Sequence, residues 1–126
     1  MRCAELGRQM TGARSYQAGL AAEEQVAQFY DRSGRMVCAR RWRGSGGEID
    51  LIARDGSEVI FIEVKQSKTH AQAAEHLTPW QMARIYASAS EFLAGEPKGQ
   101  LTDVRFDVAL VDGMGRIEVL ENAYAA

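Results

Sequence analysis

Residues 46–67 read GGEIDLIARDGSEVIFIEVKQS, and the fold turns on how this stretch pairs with itself. Two apolar-rich runs, 48–54 and 57–67, flank Asp55-Gly56, a strong signal for a two-residue type I′ hairpin. Such a turn pairs Arg54 with Ser57, and the rest of the register follows. Asp50 then faces Phe61, and Glu48 faces Glu63. Side chains alternate across a strand, so Glu48, Asp50, Phe61, Glu63 and Lys65 share one face. Ile49, Leu51, Ala53, Ile60, Ile62 and Val64 share the other, an apolar surface that needs a helix to cover it.

Working outward, Met36 to Trp42 reads as a short strand joined to the hairpin by the turn Gly44-Ser45-Gly46-Gly47. Before it, Ser15 is a candidate N-cap for a helix running to about Ser33, with Gly34 as its stop. Ala22, Val26, Phe29 and Tyr30 recur at helical spacing, and Glu23 lies beside that stripe. Residues 1–14 read as a flexible polar arm ahead of a single domain, 15–126. After the hairpin, 68–78 reads as a loop holding His70 and His76. Thr78-Pro79 opens a second helix with Met82, Ile85, Tyr86, Ala89, Phe92 and Leu93 as its buried stripe. Gly95 and Pro97 end it. Strands at about 103–111 and 116–120 follow, joined at Asp112-Gly113. The expected order is α-β-β-β-α-β-β, an α/β sandwich with helices on a mixed sheet.

The 126 residues suit one domain, with 46% hydrophobic and 25% charged side chains. Cys3 and Cys38 cannot make a disulfide framework. No apolar run approaches the roughly 18 residues of a membrane span, and the N-terminus has no signal-peptide core. The expected location is the cytoplasm. A net charge of −2 argues against a nucleic-acid partner, but the charge is uneven. Residues 1–47 carry 8 basic and 4 acidic side chains, net +4; residues 48–126 carry 7 and 13, net −6. Arg32, Arg35, Arg40, Arg41 and Arg43 form the densest basic stretch.

The hairpin's polar face carries the chemistry. Asp50 and Glu63 are diagonal neighbours in this register, roughly 7–8 Å apart at the backbone. A divalent cation between them removes their repulsion, and a small set of hard oxygens suits Mg²⁺ or Mn²⁺. Lys65, two residues past Glu63, is placed to orient or help deprotonate an attacking water, or to meet charge building on a phosphate. The plainer reading is a solvated face with cross-strand ion pairs, because E-x-K alone is common on exposed strands. Glu48 opposite Glu63 weighs against it, since stability alone disfavours that pairing.

These residues resemble the small bacterial YraN family. The resemblance rests on Gly46-Gly47-Glu48-Ile49-Asp50-Leu51-Ile52-Ala53, Asp55-Gly56 and Phe61-Ile62-Glu63-Val64-Lys65. Its outer matches are Gly19, Ala22-Glu23, Trp42, Thr78 and Phe106-Asp107-Val108. That family is similar to the restriction-endonuclease-like PD-(D/E)xK superfamily, notably Holliday-junction resolvases. The resemblance implies a three-layer α-β-β-β-α-β core with a short extra C-terminal strand. It implies Asp50, Glu63 and Glu23 as metal-binding and catalytic carboxylates, Lys65 as the catalytic lysine, and a homodimer as one candidate state. Glu48, Gln81, Arg41, Arg43 and Arg84 are candidate substrate contacts. The second helix departs from the family's basic character, with Arg84 its only basic residue, so DNA binding is expected to be weak and salt-sensitive.

His70 and His76 lack a zinc spacing and read as loop residues, His70 being a candidate to approach a substrate. Trp42 and Trp80 read as packing groups, Cys38 as a small buried hydrophobe and Asp107 as a structural hydrogen-bonding residue. Three functions stay open: a Mg²⁺-dependent DNA endonuclease, a nucleic-acid or protein binding module on a nuclease fold, and an interaction protein whose hairpin charges are only surface.

Overall fold

A computed structural model of the chain describes residues 9–75 and 78–123. Helix α1 (Gln9–Arg32) leads into β1 (Met36–Gly44), β2 (Gly47–Asp55) and β3 (Glu58–Gln66). Helices α2 (His70–Ala74) and α3 (Pro79–Leu93), then a 3₁₀ turn at Gly99–Leu101, lead to β4 (Val104–Val111) and β5 (Ile117–Leu120). The five strands form one sheet in the order β1-β2-β3-β4-β5. Only β3 and β4 run parallel, joined by the crossover that carries α2 and α3; the other neighbours are antiparallel.

Each helix boundary has a local cause. Gly34, at φ +86°, ends α1 where a side chain would be strained. The Thr78 hydroxyl accepts from Gln81 N at 3.1 Å, and Pro79 occupies the first turn of α3. Helix α1 begins at Gln9, ahead of the expected cap at Ser15, so residues 9–14 are helical; residues 1–8 of the expected arm lie outside the described residues. Part of the expected loop 68–78 is helical too: Thr69 caps α2 by accepting from Gln72 N. His76 lies outside the described residues.

The two faces of the sheet are covered separately. Ala22, Val26, Ala27 and Tyr30 of α1 pack on Leu51, Ala53, Ile60, Ile62, Ala109 and Val111. Ala89 and Leu93 of α3 cover Ile49, Ile52, Val59 and Phe61 on the opposite face. There Phe61 stacks on Phe106 at 5.2 Å, and Phe92 sets its edge against both Phe61 and Trp42. Trp42 is therefore a packing group, as expected. Ile85 of α3 and Ala73 of α2 extend the same layer over Val108 and Leu110.

The hairpin differs from its expected register in an instructive way. Asp55 pairs with Glu58, so the turn is Gly56-Ser57 rather than Asp55-Gly56. Gly56 has φ +64° while Ser57 does not enter the left-handed region. That is the demand of a type II′ turn, which places glycine first. The slide spans two positions in the pairing, so it keeps the faces and changes the partners. Leu51 now pairs with Ile62, which brings Asp50 and Glu63 level at the next step instead of diagonal. Glu48 is no longer opposite Glu63.

Ile49 also departs from its expected face. It packs under α3 with Ile52, whereas Leu51 and Ala53 face α1. The β1–β2 ladder passes from Arg40–Leu51 to Trp42–Ile49, and the residue stepped over on β1, Arg41, has φ +54°. That left-handed backbone, uncommon for a bulky side chain, breaks the alternation just where Asp50 sits. A second irregularity, between Val37 and Ala39, takes Cys38 out of the alternation; it is exposed rather than buried.

Candidate active site

The paired ladder of β2 and β3 stops at Leu51–Ile62. Beyond it the Val64 N–H donates to the Asp50 side chain, Oδ2 at 2.8 Å, so a carboxylate replaces the missing backbone partner. Asp50 is thereby fixed beside Glu63. Glu63 is 6% exposed, and its Oε2 accepts from Gln81 Nε2 of α3 at 2.9 Å. Its Oε1 is buried and has no hydrogen-bond partner among the described residues. Burial, then the charge of Asp50, pushes the Glu63 carboxyl up to about 8. Burial likewise raises Asp50, against the Val64 hydrogen bond, which lowers it. At neutral pH the pair therefore keeps a proton that two solvated carboxylates would lose. The Lys65 charge acts on both acids in the opposite sense, which places its ammonium within electrostatic reach of them.

On the α1 side stands a row of alternating charge. Arg41 Nε lies 3.6 Å from Glu23 Oε1 and 4.0 Å from Glu48 Oε1, and Arg43 Nη2 lies 3.7 Å from Glu48 Oε2. Arg41, whose backbone is left-handed at φ +54°, stands at the centre of this row. Burial, then the Asp50 charge, pushes Glu23 up to about 7. Glu23 thus shares the field of the acidic pair while its own ion pair is with Arg41. Among the described residues, no group of three or more His, Cys, Asp or Glu side chains is placed to hold a metal ion together. The set that converges is the Asp50–Glu63 pair. A hollow of about 390 Å³ opens beside the row, lined by Leu20, Ala21, Glu23, Glu24, Arg40, Arg41 and Leu51.

The third wall is α3, seated on the glycine turn between β1 and β2. A Cβ on Gly46 would collide with the Arg84 carbonyl, and one on Gly47 with the Arg84 guanidinium. In return, Arg84 Nε donates to Gly46 O at 2.7 Å and the Ser88 hydroxyl to Gly47 O at 2.8 Å. A small cleft of about 50 Å³ lies between them, lined by Gly46, Glu48, Glu63, Gln81, Arg84 and Ile85. Arg84 and Gln81, both expected as substrate contacts, therefore border the acidic pair. Ser88 was missed: a serine within an apolar stripe gives no sign that it serves a loop carbonyl. Trp80, expected to pack, is 71% exposed, and the Arg84 guanidinium lies over its ring at 4.9 Å.

Other residues resolve as structural. Asp107 is buried and accepts from the Tyr30 hydroxyl at 2.7 Å, from Arg105 through two nitrogens and from Asn122 N. His70 does not approach the acids: Nε2 lies 2.9 Å from Arg116 O and Nδ1 3.2 Å from Glu118 Oε1. Four arginines of the first third, Arg35, Arg40, Arg41 and Arg43, meet carboxylates in space. Arg35 lies near Asp55 and Glu121, and Arg40 pairs with Glu24. Arg43 keeps most of its side chain, 75%, in solvent. Among the described residues no helix is long and apolar enough to cross a membrane.

Residues 22–111 match the model of the uncharacterised protein family UPF0102, the family of the YraN resemblance read from the hairpin. A UPF0102 protein of Cereibacter sphaeroides is 70% identical over 93% of this chain and 100% of its own length. One from Ruegeria pomeroyi is 60% identical over 90% of this chain and 92% of its own. Another, from Dinoroseobacter shibae, is 46% identical over 91% and 86%.

Proposed function

The chain belongs to the UPF0102 family, and we propose that it is a metal-dependent nuclease hydrolysing phosphodiester bonds of DNA, with branched or otherwise structured DNA as its substrate class. One observation carries the reading: Asp50 and Glu63 lie side by side at the end of their ladder, and a buried Glu63 oxygen lacks a partner. Leaving a buried acceptor unsatisfied next to a second carboxylate costs stability, and it suits a ligand that both acids would bind. Two carboxylates with room for water fit Mg²⁺ or Mn²⁺ better than a cation needing an all-protein cage. A divalent ion held there would supply positive charge against the phosphate being cleaved.

The chain's own groups have separable tasks. Gln81 fixes the rotation of Glu63 through Oε2, leaving Oε1 turned to the ligand. Val64 N–H does the same for Asp50. Lys65 orients the attacking water or meets the charge that builds on the phosphate. Glu23, at about 7, is poised to exchange a proton near neutrality beside the pair. Arg84, Arg41 and Arg43 rim the site as phosphate contacts. Because Arg41 and Arg43 already face Glu48, few phosphate contacts are left to them, and binding is weak and salt-sensitive.

A cleavage screen over linear, nicked, flapped and four-way DNA with Mg²⁺ or Mn²⁺ tests the proposal. Cutting of at least one substrate is expected, with loss of roughly a hundredfold or more in rate for Glu63→Ala and Lys65→Ala. No cleavage of any substrate, or variants that cut as well as the wild type, would overturn it.

A further inference from the structure

Trp80 is the largest exposed aromatic group on α3, and three observations separate it from an ordinary surface residue. First, Arg84 lies over its ring at 4.9 Å. Second, Arg84 is itself anchored through Nε to the Gly46 carbonyl, at a turn too tight for a side chain. The indole is thus held on one side by a cation fixed to the fold, while 71% of the residue stays in solvent. Third, the same Arg84 lines the small cleft that Glu63 and Gln81 also border, so the residue that braces the ring belongs to the rim of the acidic pair. Leu101 and Met114 are also exposed, but neither carries an aromatic ring.

We infer that Trp80, braced by Arg84 at the rim of the carboxylate site, is a stacking platform for an unpaired base of the nucleic acid. The inference rests on the nuclease reading and narrows its substrate. A flat, electron-rich ring with an arginine on one face leaves its other surface for a planar partner. Every base has such a face, so the contact is indifferent to sequence. A base inside a duplex is already stacked above and below, so a free surface comes from a single strand, a flap or an opened junction. The terminal nitrogens of Arg84 are then near enough to the same nucleotide to meet its phosphate, while Nε stays on Gly46. Trp80 is in this account a specificity-determining contact, and Lys65, Asp50 and Glu63 keep the chemistry.

The test uses the full chain in EDTA, so that binding is read without cleavage. The probes are a labelled oligothymidylate and a blunt duplex, measured by fluorescence anisotropy, with intrinsic tryptophan emission recorded in parallel. The single strand is expected to quench wild-type emission, and the quench to vanish in Trp80→Phe although Trp42 remains. Trp80→Ala should weaken single-strand binding about tenfold or more, within the range for one base–aromatic stack, and Trp80→Phe far less. Blunt-duplex binding should be unchanged in both, and circular dichroism should show both folded. Equal single-strand binding by Trp80→Ala, a persisting quench in Trp80→Phe, or no single-strand binding by the wild type would overturn the inference. The nuclease reading is judged separately: Trp80→Ala that still cuts DNA in Mg²⁺, with unchanged binding in EDTA, removes the platform and leaves the nuclease.

Discussion

Two buried acids sit on neighbouring strands of this sheet, and the fold treats them in opposite ways. Asp107 of β4 is 1% exposed and Glu63 of β3 is 6% exposed. Asp107 receives a tyrosine hydroxyl, a two-pronged arginine and a backbone N–H. Glu63 receives one amide from Gln81 and is set beside another carboxylate. Burial costs each of them hydration. At Asp107 the protein replaces the lost water completely, and the result is a structural joint between α1, β4 and the end of β5. At Glu63 the replacement is left half made. Burial alone therefore does not mark a candidate functional acid; the proposal for Glu63 rests on incomplete satisfaction beside a like charge.

The contrast is breakable, and the largest effect is expected at the satisfied acid. Asp107→Ala strands the Arg105 guanidinium and the Tyr30 hydroxyl, and should destabilise the fold by about 3–5 kcal/mol in urea denaturation. A loss under about 1 kcal/mol would show that Asp107 is no joint. Glu63→Gln should do the reverse in metal-free protein, raising stability and Tm at pH 8.

The sign follows from the titration. A carboxyl raised from 4.5 to about 8 binds more protons folded than unfolded, so the wild type loses stability as pH rises between those values. The advantage of Glu63→Gln should therefore grow from near zero below pH 4.5 to its full size above pH 8. Excess Mg²⁺ should shrink it by stabilising the wild type alone. An advantage independent of pH would break the account. Smallest is Gln81→Ala, expected to lower unfolding free energy by about 1 kcal/mol, because it removes the amide donor to the buried Glu63 Oε2. Its cleavage rate should nonetheless fall about ten- to a hundredfold with KM nearly unchanged, the mark of an orienting partner. A change in KM alone would make Gln81 a binding contact instead.

Much of this was legible in the sequence because some signals survive error. The hairpin register slid by two positions, yet the period of two kept Asp50, Glu63 and Lys65 on one side. Had the slide been one, the whole site would have been misplaced. The stripe Ala22, Val26, Tyr30 and the Thr78-Pro79 start also held, since each depends on neighbours within one helical turn. What escaped depended on distant partners. The left-handed backbone of Arg41, which moved Ile49 to the α3 face, answers to packing rather than to propensity. Helix α2 is too short for periodicity to show. Trp80 and Ser88 both lie on α3, but nothing local tells an indole left in solvent from one that packs, or a serine bonded to Gly47 O from an idle one. The uneven charge is real as arithmetic and softer in space, because Arg35, Arg41 and Arg43 meet Asp55, Glu121 and Glu48 of the acidic portion.

The lone parallel join, β3 to β4, has a consequence for how the molecule comes together. Strands β1, β2 and β3 form a meander whose contacts are local, whereas β4 must wait for the chain 67–103 to close over the sheet. Nearby pairings form fast and long closures form late. The two acids therefore meet early, on an open ribbon and in water, where their mutual repulsion is weak. Only when α3 swings down onto the glycine turn does that water leave. On this topology the closing of α3 is the step expected to raise the energy of the acidic pair, and under the metal-dependent reading proposed above a cation bound early would ease it.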